Sequence, residues 1–338
     1  MSATAPAVPH GTAPAVPRHL STTALSSGYG RRTIVDGVDL EVPTGRITVI
    51  VGANACGKST LLKTMARILA PSAGAVLLDG EPVGSIPTKR LATRLGLLPQ
   101  QPIAPEGIAV SDLVGRGRHP HQGAFRSWTA EDRRIVEEAL VATGTAPLAD
   151  RAIDELSGGQ RQRVWIAMAL AQRTDVLLLD EPTTFLDLAH QVEVLDLLTD
   201  LNRDRGTTIV MVLHDINLAA RYADHVVAMK AGRVVAAGPP REVVDPGLMR
   251  EVFGLSAEVI TDPVSGTPLI VPRGRYHGGD PAGTAGAGDA GPAGEPADPQ
   301  DSADEPGRAI GAVRGGPVED ADSEQAHGEK PRRHEEGR

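Results

Sequence analysis

The chain has 338 residues, 41% of them hydrophobic and 23% charged, enough for one large or two small domains. Its formal charge is −9, but residues 276–338 hold 14 acidic against 6 basic side chains, a net of −8, which leaves the preceding part close to neutral and argues against a nucleic-acid-binding surface. No apolar run approaches a membrane-spanning length, and the single cysteine, Cys56, excludes an internal disulfide and suits a reducing cytosol.

Residues 1–20 are proline-rich, with Thr-Ala-Pro-Ala-Val-Pro at 4–9 and again at 12–17. They lack the apolar core of a signal peptide and read as a flexible, disordered leader. From 21 to 100, strands and turns alternate around one helix. Tyr29 stands out where aromatics are only 2% of the chain; its ring could stack on a nucleotide base or simply pack a small β-subdomain.

The β-branched run Ile47-Thr48-Val49-Ile50-Val51 predicts a buried parallel strand. It runs into Gly52-Ala53-Asn54-Ala55-Cys56-Gly57-Lys58-Ser59, and Thr60 to Leu69 then has helical periodicity. Strand, glycine loop and helix in that order make a phosphate-binding loop. Gly52 and Gly57 let the backbone curl until its N–H groups face one anion, and the helix N-terminus adds partial positive charge. Lys58 can reach the β- and γ-phosphates, and Ser59 can ligate Mg²⁺. Cys56 reads as a small packing residue, since no motif supplies it with a base.

Between Gln100 and Leu156 the pattern is mostly helical. Thr129 can cap a helix from Ala130 to Thr143, ended by Gly144. Leu156-Ser157-Gly158-Gly159-Gln160 then precedes a helical run from Arg161 to Gln172, so Ser157 and the two glycines lie at a helix N-terminus, a second anion site. The apolar strand Val176 to Leu179 ends in Asp180 and Glu181. A carboxylate there can meet Mg²⁺ held by phosphates, and a partly desolvated Glu181 beside a nucleotide suits a general base; the plainer reading is that the pair caps a helix starting near Pro182. Another apolar strand, Val210 to Leu213, ends in His214. Up to about residue 245 helices and apolar strands alternate, the signature of a parallel sheet. Residues 276–338 have 20 Gly or Pro among 63 residues and read as a disordered acidic tail.

A phosphate loop, LSGGQ and an acidic strand end in this order resemble the ATP-binding-cassette (ABC) family of ATPases. The resemblance implies an α/β fold in which a RecA-like parallel-sheet core carries an antiparallel β-subdomain and an inserted helical subdomain at about 101–160, within one domain over 21–275. It also implies ATP bound by Gly52, Ala53, Asn54, Ala55, Cys56, Gly57, Lys58, Ser59 and Thr60, with the A-loop aromatic Tyr29 on adenine. Mg²⁺ falls to Ser59, the Q-loop Gln100 and Asp180; catalysis falls to Glu181, the switch His214 and Gln100. Ser157, Gly158, Gly159 and Gln160 would close on the γ-phosphate held by a second copy, with Asp187 of the D-loop at the seam, in a head-to-tail homodimer. Ala53 departs from the family, which usually has Pro there; the cradle is made by later N–H groups.

Leu113-Val114-Gly115-Arg116-Gly117-Arg118-His119-Pro120-His121-Gln122 resembles the "LVxRGRxPHQ" segment of ATPases serving ferric-siderophore importers of the enterobactin type. Gly96 to Gln100, Cys56 and Asp262-Pro263-Val264-Ser265-Gly266-Thr267-Pro268 fit the same subfamily, and the likeness runs from about 25 to 273. Such a subunit sits peripherally on the cytoplasmic face of the inner membrane with integral permease subunits, and serves a siderophore-binding protein outside only indirectly. ATPases of haem and cobalamin importers share these motifs. A DNA-repair ATPase would insert heptad repeats before LSGGQ, and a translation factor would carry two cassettes. His119 and His121 lack a third ligand nearby, so they read as a solvated or permease-facing loop and not as a metal pair.

Overall fold

The computed structural model describes residues 14–122 and 128–274. In chain order, β1 (Leu20–Tyr29) and β2 (Arg32–Val42) precede β3 (Ile47–Gly52) and α1 (Lys58–Met65). β4 (Ala73–Leu78), β5 (Glu81–Pro82), α2 (Thr88–Ala92) and β6 (Leu95–Leu98) follow. Next come α3 (Val110–Gly115), a 3₁₀ segment at Arg116–His121, α4 (Ala130–Ala142) and α5 (Gly158–Gln172). The remainder is β7 (Val176–Asp180), α6 (Leu188–Arg205), β8 (Thr208–Val212), α7 (Ile216–Tyr222), β9 (His225–Lys230), β10 (Arg233–Gly238), α8 (Pro240–Val243), α9 (Pro246–Phe253), β11 (Ala257–Thr261) and β12 (Pro268–Pro272).

Every residue of β3, β7 and β8 is buried, which fits strands covered on both faces. They lie inside a six-stranded sheet of order β10-β9-β3-β8-β7-β6, parallel from β9 to β6, with β10 antiparallel at the edge. Alternation along the strands separates two cores. Leu177 and Leu179 join Ile47, Val49 and Val51 on the face covered by α3, α4, α5 and α6; Val176 and Leu178 join Ile50 and Val210 under Leu61, Leu62 and Met65 of α1. That second core also takes in Leu20, Leu25 and Val35 from an antiparallel sheet of order β2-β1-β4-β5. Parallel strands deliver their C-terminal ends, and the loops that follow them, to one side of the sheet.

Local chemistry sets the helix limits. The Thr129 hydroxyl accepts from the Asp132 N–H at 3.0 Å and the Asp132 carboxylate accepts from the Thr129 N–H, a capping box that starts α4; Gly144 at φ +64° follows its end. Ser157 and Gln160 make the same reciprocal pair, so α5 begins at Gly158, three residues before the periodic run. Helix α1 stops at Met65, short of the apolar run to Leu69, because Arg67 turns to φ +60°.

Three expectations change. The solvated or permease-facing loop expected at His119 and His121 holds for His119 and not for His121, and Gly117 and Arg118 just before them are buried against α5. The Arg118 guanidinium meets Asp132 at 3.0 Å and donates to the Ala171 carbonyl at 2.9 Å, and a Cβ on Gly117 would stand 2.4 Å from the Met168 carbonyl. His121 Nε2 lies 2.7 Å from the Gln172 carbonyl, while His119 is exposed. The leader also ends earlier than residue 20. The Ala15 N–H donates to the Arg205 carbonyl, the Val16 N–H to Asp175, and Arg18 pairs with Asp79 and Asp175, so this stretch is strapped to the start of the sheet. Finally, no helix starts near Pro182. Glu181 (φ +55°) and Phe185 (φ +68°) hold a turn open until Asp187 caps α6. Residues 1–13 of the expected leader and the tail at 276–338 lie outside the described residues.

Candidate functional site

The loop between β3 and α1 is built by backbone. Gly52 sits at φ +151°, where a Cβ would come within 2.3 Å of the Met229 carbonyl and 2.8 Å of Cys56 Sγ. Gly57 at φ +109° starts α1 without a side-chain cap, so the N–H groups of the first turn keep their donors for an anion. Cys56 is buried beneath the loop as a packing residue. Lys58 is 5% exposed and donates to the carbonyls of Gly52 (2.9 Å) and Ala53 (3.0 Å). Its charge is folded back over the loop onto these two carbonyls.

The acidic strand end arrives beside it. Asp180 is 1% exposed and accepts from Ser59 Oγ at 2.8 Å through one oxygen, while the other, Oδ2, is buried without a hydrogen-bond partner. Burial raises the Asp180 pKa above its ordinary value, partly offset by Ser59 and by the Lys63 and Lys58 charges. A buried carboxylate oxygen and a hydroxyl are the donors a hard divalent cation takes. Among the described residues no three His, Cys, Asp or Glu side chains cluster as a metal site, so a cation here would complete its shell with phosphate oxygens and water.

Glu181 is held from three directions. His214 Nε2 lies 2.6 Å from one oxygen; Gln100 Nε2 (2.6 Å) and Thr184 Oγ1 (3.2 Å) donate to the other. Gln100 follows β6, Glu181 follows β7 and His214 follows β8, three neighbouring strand ends of one sheet.

These groups share a cavity of about 540 Å³ with Asn54, Ala55, Cys56, Gly57, Lys58, Ser59 and Thr60. Tyr29 lines its outer end, 54% exposed, beside Arg32 and Ile34. Tyr29 and Arg32 are directly opposed across the β1–β2 turn, so their side chains stand on one face. Arg32 and Ile34 were not among the residues singled out in the sequence, and no motif marks them. Ser157, Gly159, Gln160 and Asp187 line a different cavity of about 320 Å³, with Phe185 of the turn after β7. Gly158 packs near the Phe185 Cβ, 3.8 Å from where its own Cβ would be. Asp187 does cap a helix, accepting from the His190 N–H at 3.0 Å. The structure thus gathers the phosphate loop, Tyr29, Gln100, Asp180, Glu181 and His214 at one site, and the LSGGQ residues with Asp187 at another.

A phosphate loop leading into a helix, with carboxylates from the end of a parallel strand two places along the same sheet, is the arrangement of a P-loop nucleoside triphosphatase. The family model described as "ABC transporter" matches residues 35–184. The probable siderophore transport system ATP-binding protein YusV of Bacillus subtilis is 54% identical over 76% of this chain and 93% of its own. The ferric enterobactin transport ATP-binding protein FepC of Escherichia coli is 51% identical over 74% and 93%. Among solved structures, the dimeric bacterial ABC transporter cassette MJ0796 superposes with a TM-score of 0.60 at 27% identity, over 65% of this chain and 98% of that one. The chain belongs to the ABC transporter family of ATP-binding proteins, which are ATPases.

Proposed function

We propose that this chain is the ATP-hydrolysing subunit of an importer for ferric siderophores. The observation that carries the cargo is the gradient among relatives. Five relatives named for siderophore, achromobactin, petrobactin, enterobactin and hydroxamate transport are 51 to 54% identical and a second petrobactin import ATPase is 39%, against 42% for a hemin and 39% for a cobalamin import ATPase. Relatives named as transport ATP-binding proteins support permease subunits as partners, with this chain peripheral to them on the cytoplasmic face; among the described residues no helix is long and apolar enough to cross a membrane. The siderophore-binding protein would be served only through those permeases.

The reaction is ATP plus water giving ADP and phosphate. The triphosphate lies along Gly52 to Thr60 against free backbone donors, drawing the Lys58 ammonium off its two carbonyls, and the adenine stacks on Tyr29. Ser59 and Asp180, with Gln100 once it leaves Glu181, would hold a Mg²⁺, which would draw charge off the β- and γ-phosphates. Glu181 takes a proton from the attacking water once Gln100 and His214 release its oxygens; His214 then turns to the γ-phosphate. Ser157, Gly159 and Gln160 line a cavity apart from the one that holds Lys58, so the same chain does not bring the LSGGQ segment to its own phosphates. A second copy placed head to tail would supply them, with Asp187 at the seam.

The test is a strain lacking this gene under iron starvation. The gene should restore growth on a ferric siderophore and not on haem or cobalamin. Restoration of haem or cobalamin uptake alone would overturn the cargo and leave the ATPase assignment standing.

A further inference from the structure

His214 reaches Glu181 from the short junction between β8 and α7, so its aim depends on how α7 is held. The helix start is fixed by Asp215, whose carboxylate accepts from the N–H groups of Asn217 (2.8 Å) and Leu218 (3.0 Å). Asn217 is also gripped by its side chain. Its Nδ2 donates to the Ile270 carbonyl at 3.2 Å and its Oδ1 accepts from the Ile270 N–H at 2.7 Å, so the amide takes the place of a neighbouring strand residue along β12. One turn on, Arg221 donates to Asp262 at 2.5 Å. Positions 217 and 221 share one helix face, and both hold the same β-hairpin.

Asp262 explains the Asp262–Pro268 segment that the phosphate chemistry leaves unused. It is 6% exposed and accepts from Arg221, from Ser265 Oγ (2.7 Å) and from the Val264 N–H (3.0 Å), while its own N–H and carbonyl close the turn through Thr267 and Gly266. β11 and β12 pair only with each other among the described strands. The hairpin therefore meets the catalytic end of the sheet through α7.

We infer that the β11–β12 hairpin is a positioning device for His214, acting through Asn217 and the Arg221–Asp262 pair: it fixes the α7 axis and with it the angle at which the imidazole meets Glu181. Asn217 is a positioning residue, since it touches neither nucleotide nor Glu181. The inference rests on the reading of His214 as a γ-phosphate contact only where turnover is the readout.

The experiment uses the full chain. In Asn217→Ala the His214 imidazole resonance of the nucleotide-free protein should move, and turnover should fall about tenfold with ATP affinity held within about twofold, the mark of lost orientation and not of lost binding. In a His214→Ala background the second substitution should have no further effect on turnover. If Asn217→Ala does not fold, Asn217→Asp, which keeps the acceptor for the Ile270 N–H, is read in the same way. An unmoved imidazole signal, or the same fractional loss of turnover with and without His214, would overturn the inference. If the imidazole moves but His214→Ala leaves turnover unchanged, the hairpin still positions His214, and it is the catalytic reading of that histidine that falls.

Discussion

Glu181→Gln is the substitution that isolates the proposed general base. The side chain is 8% exposed and its oxygens meet His214, Gln100 and Thr184. Glutamine has the same length and keeps one acceptor oxygen, and the Gln100 amide can turn over to present its own oxygen to the new NH₂. The exchange therefore leaves the hydrogen-bond count nearly intact, and folding stability should change by no more than about 1 kcal/mol. Proton acceptance is lost altogether. A positioned base contributes about 10²- to 10⁴-fold, or roughly 3 to 5 kcal/mol of barrier at 1.36 kcal/mol per decade. The assay is phosphate release in a single turnover with enzyme in saturating excess over ATP, alongside ATP affinity and gel filtration. Turnover should drop at least ~10²-fold with affinity unchanged, and an ATP-bound dimer should accumulate. Phosphate release within about threefold of the parent, far inside a base's contribution, would refute the role of Glu181.

Two further outcomes test the shared site and the helical subdomain. Lys58→Ala should lose ATP binding, Ser157→Arg should keep binding and lose turnover, and a mixture of the two should exceed either alone; an isolated monomer with full turnover would remove the head-to-tail arrangement. Asp132→Ala strands the Arg118 charge, 6% exposed, without its partner and removes half of the α4 capping box, so it should cost about 3 to 5 kcal/mol and lower the melting temperature by roughly 6 to 20 °C. Burial alone raises the Asp132 pKa, but hydrogen bonds from Thr129 and Arg118 and the Arg118 charge outweigh it and hold the carboxyl below its ordinary value. Its stabilisation is thus full above the unfolded value of about 3.9 and lost as pH falls through the folded one, so parent and variant melts should converge in acid. A gap that does not narrow at low pH would count against that ion pair.

What the sequence made legible are features whose chemistry is local. The loop from Gly52 to Ser59 needs its glycines wherever it occurs, and Thr129 before Ala130, like Ser157 before its helical run, announces a helix start. The triple grip on Glu181 was not legible, because Gln100, Glu181 and His214 meet only when β6, β7 and β8 lie side by side. The turn from Glu181 to Leu186 was missed because no glycine or asparagine marks the positive φ values of Glu181 and Phe185. The burial of Arg118 was not legible because its partner, Asp132, lies on a separate helix. The Asn217 clasp leaves no pattern either, since an amide pairing with the backbone of residue 270 obeys no spacing rule.

The strap at Ala15 to Arg18 has a practical consequence. Asp175 and Arg205 stand just before β7 and β8, and Asp180 stands at the far end of β7, five residues or roughly 16 Å along the strand. The described chain therefore joins the fold at the end of the sheet remote from the Gly52–Ser59 loop. Tethered to a sensor chip by that end, the protein would present its nucleotide face outward, open to ATP and to a second copy.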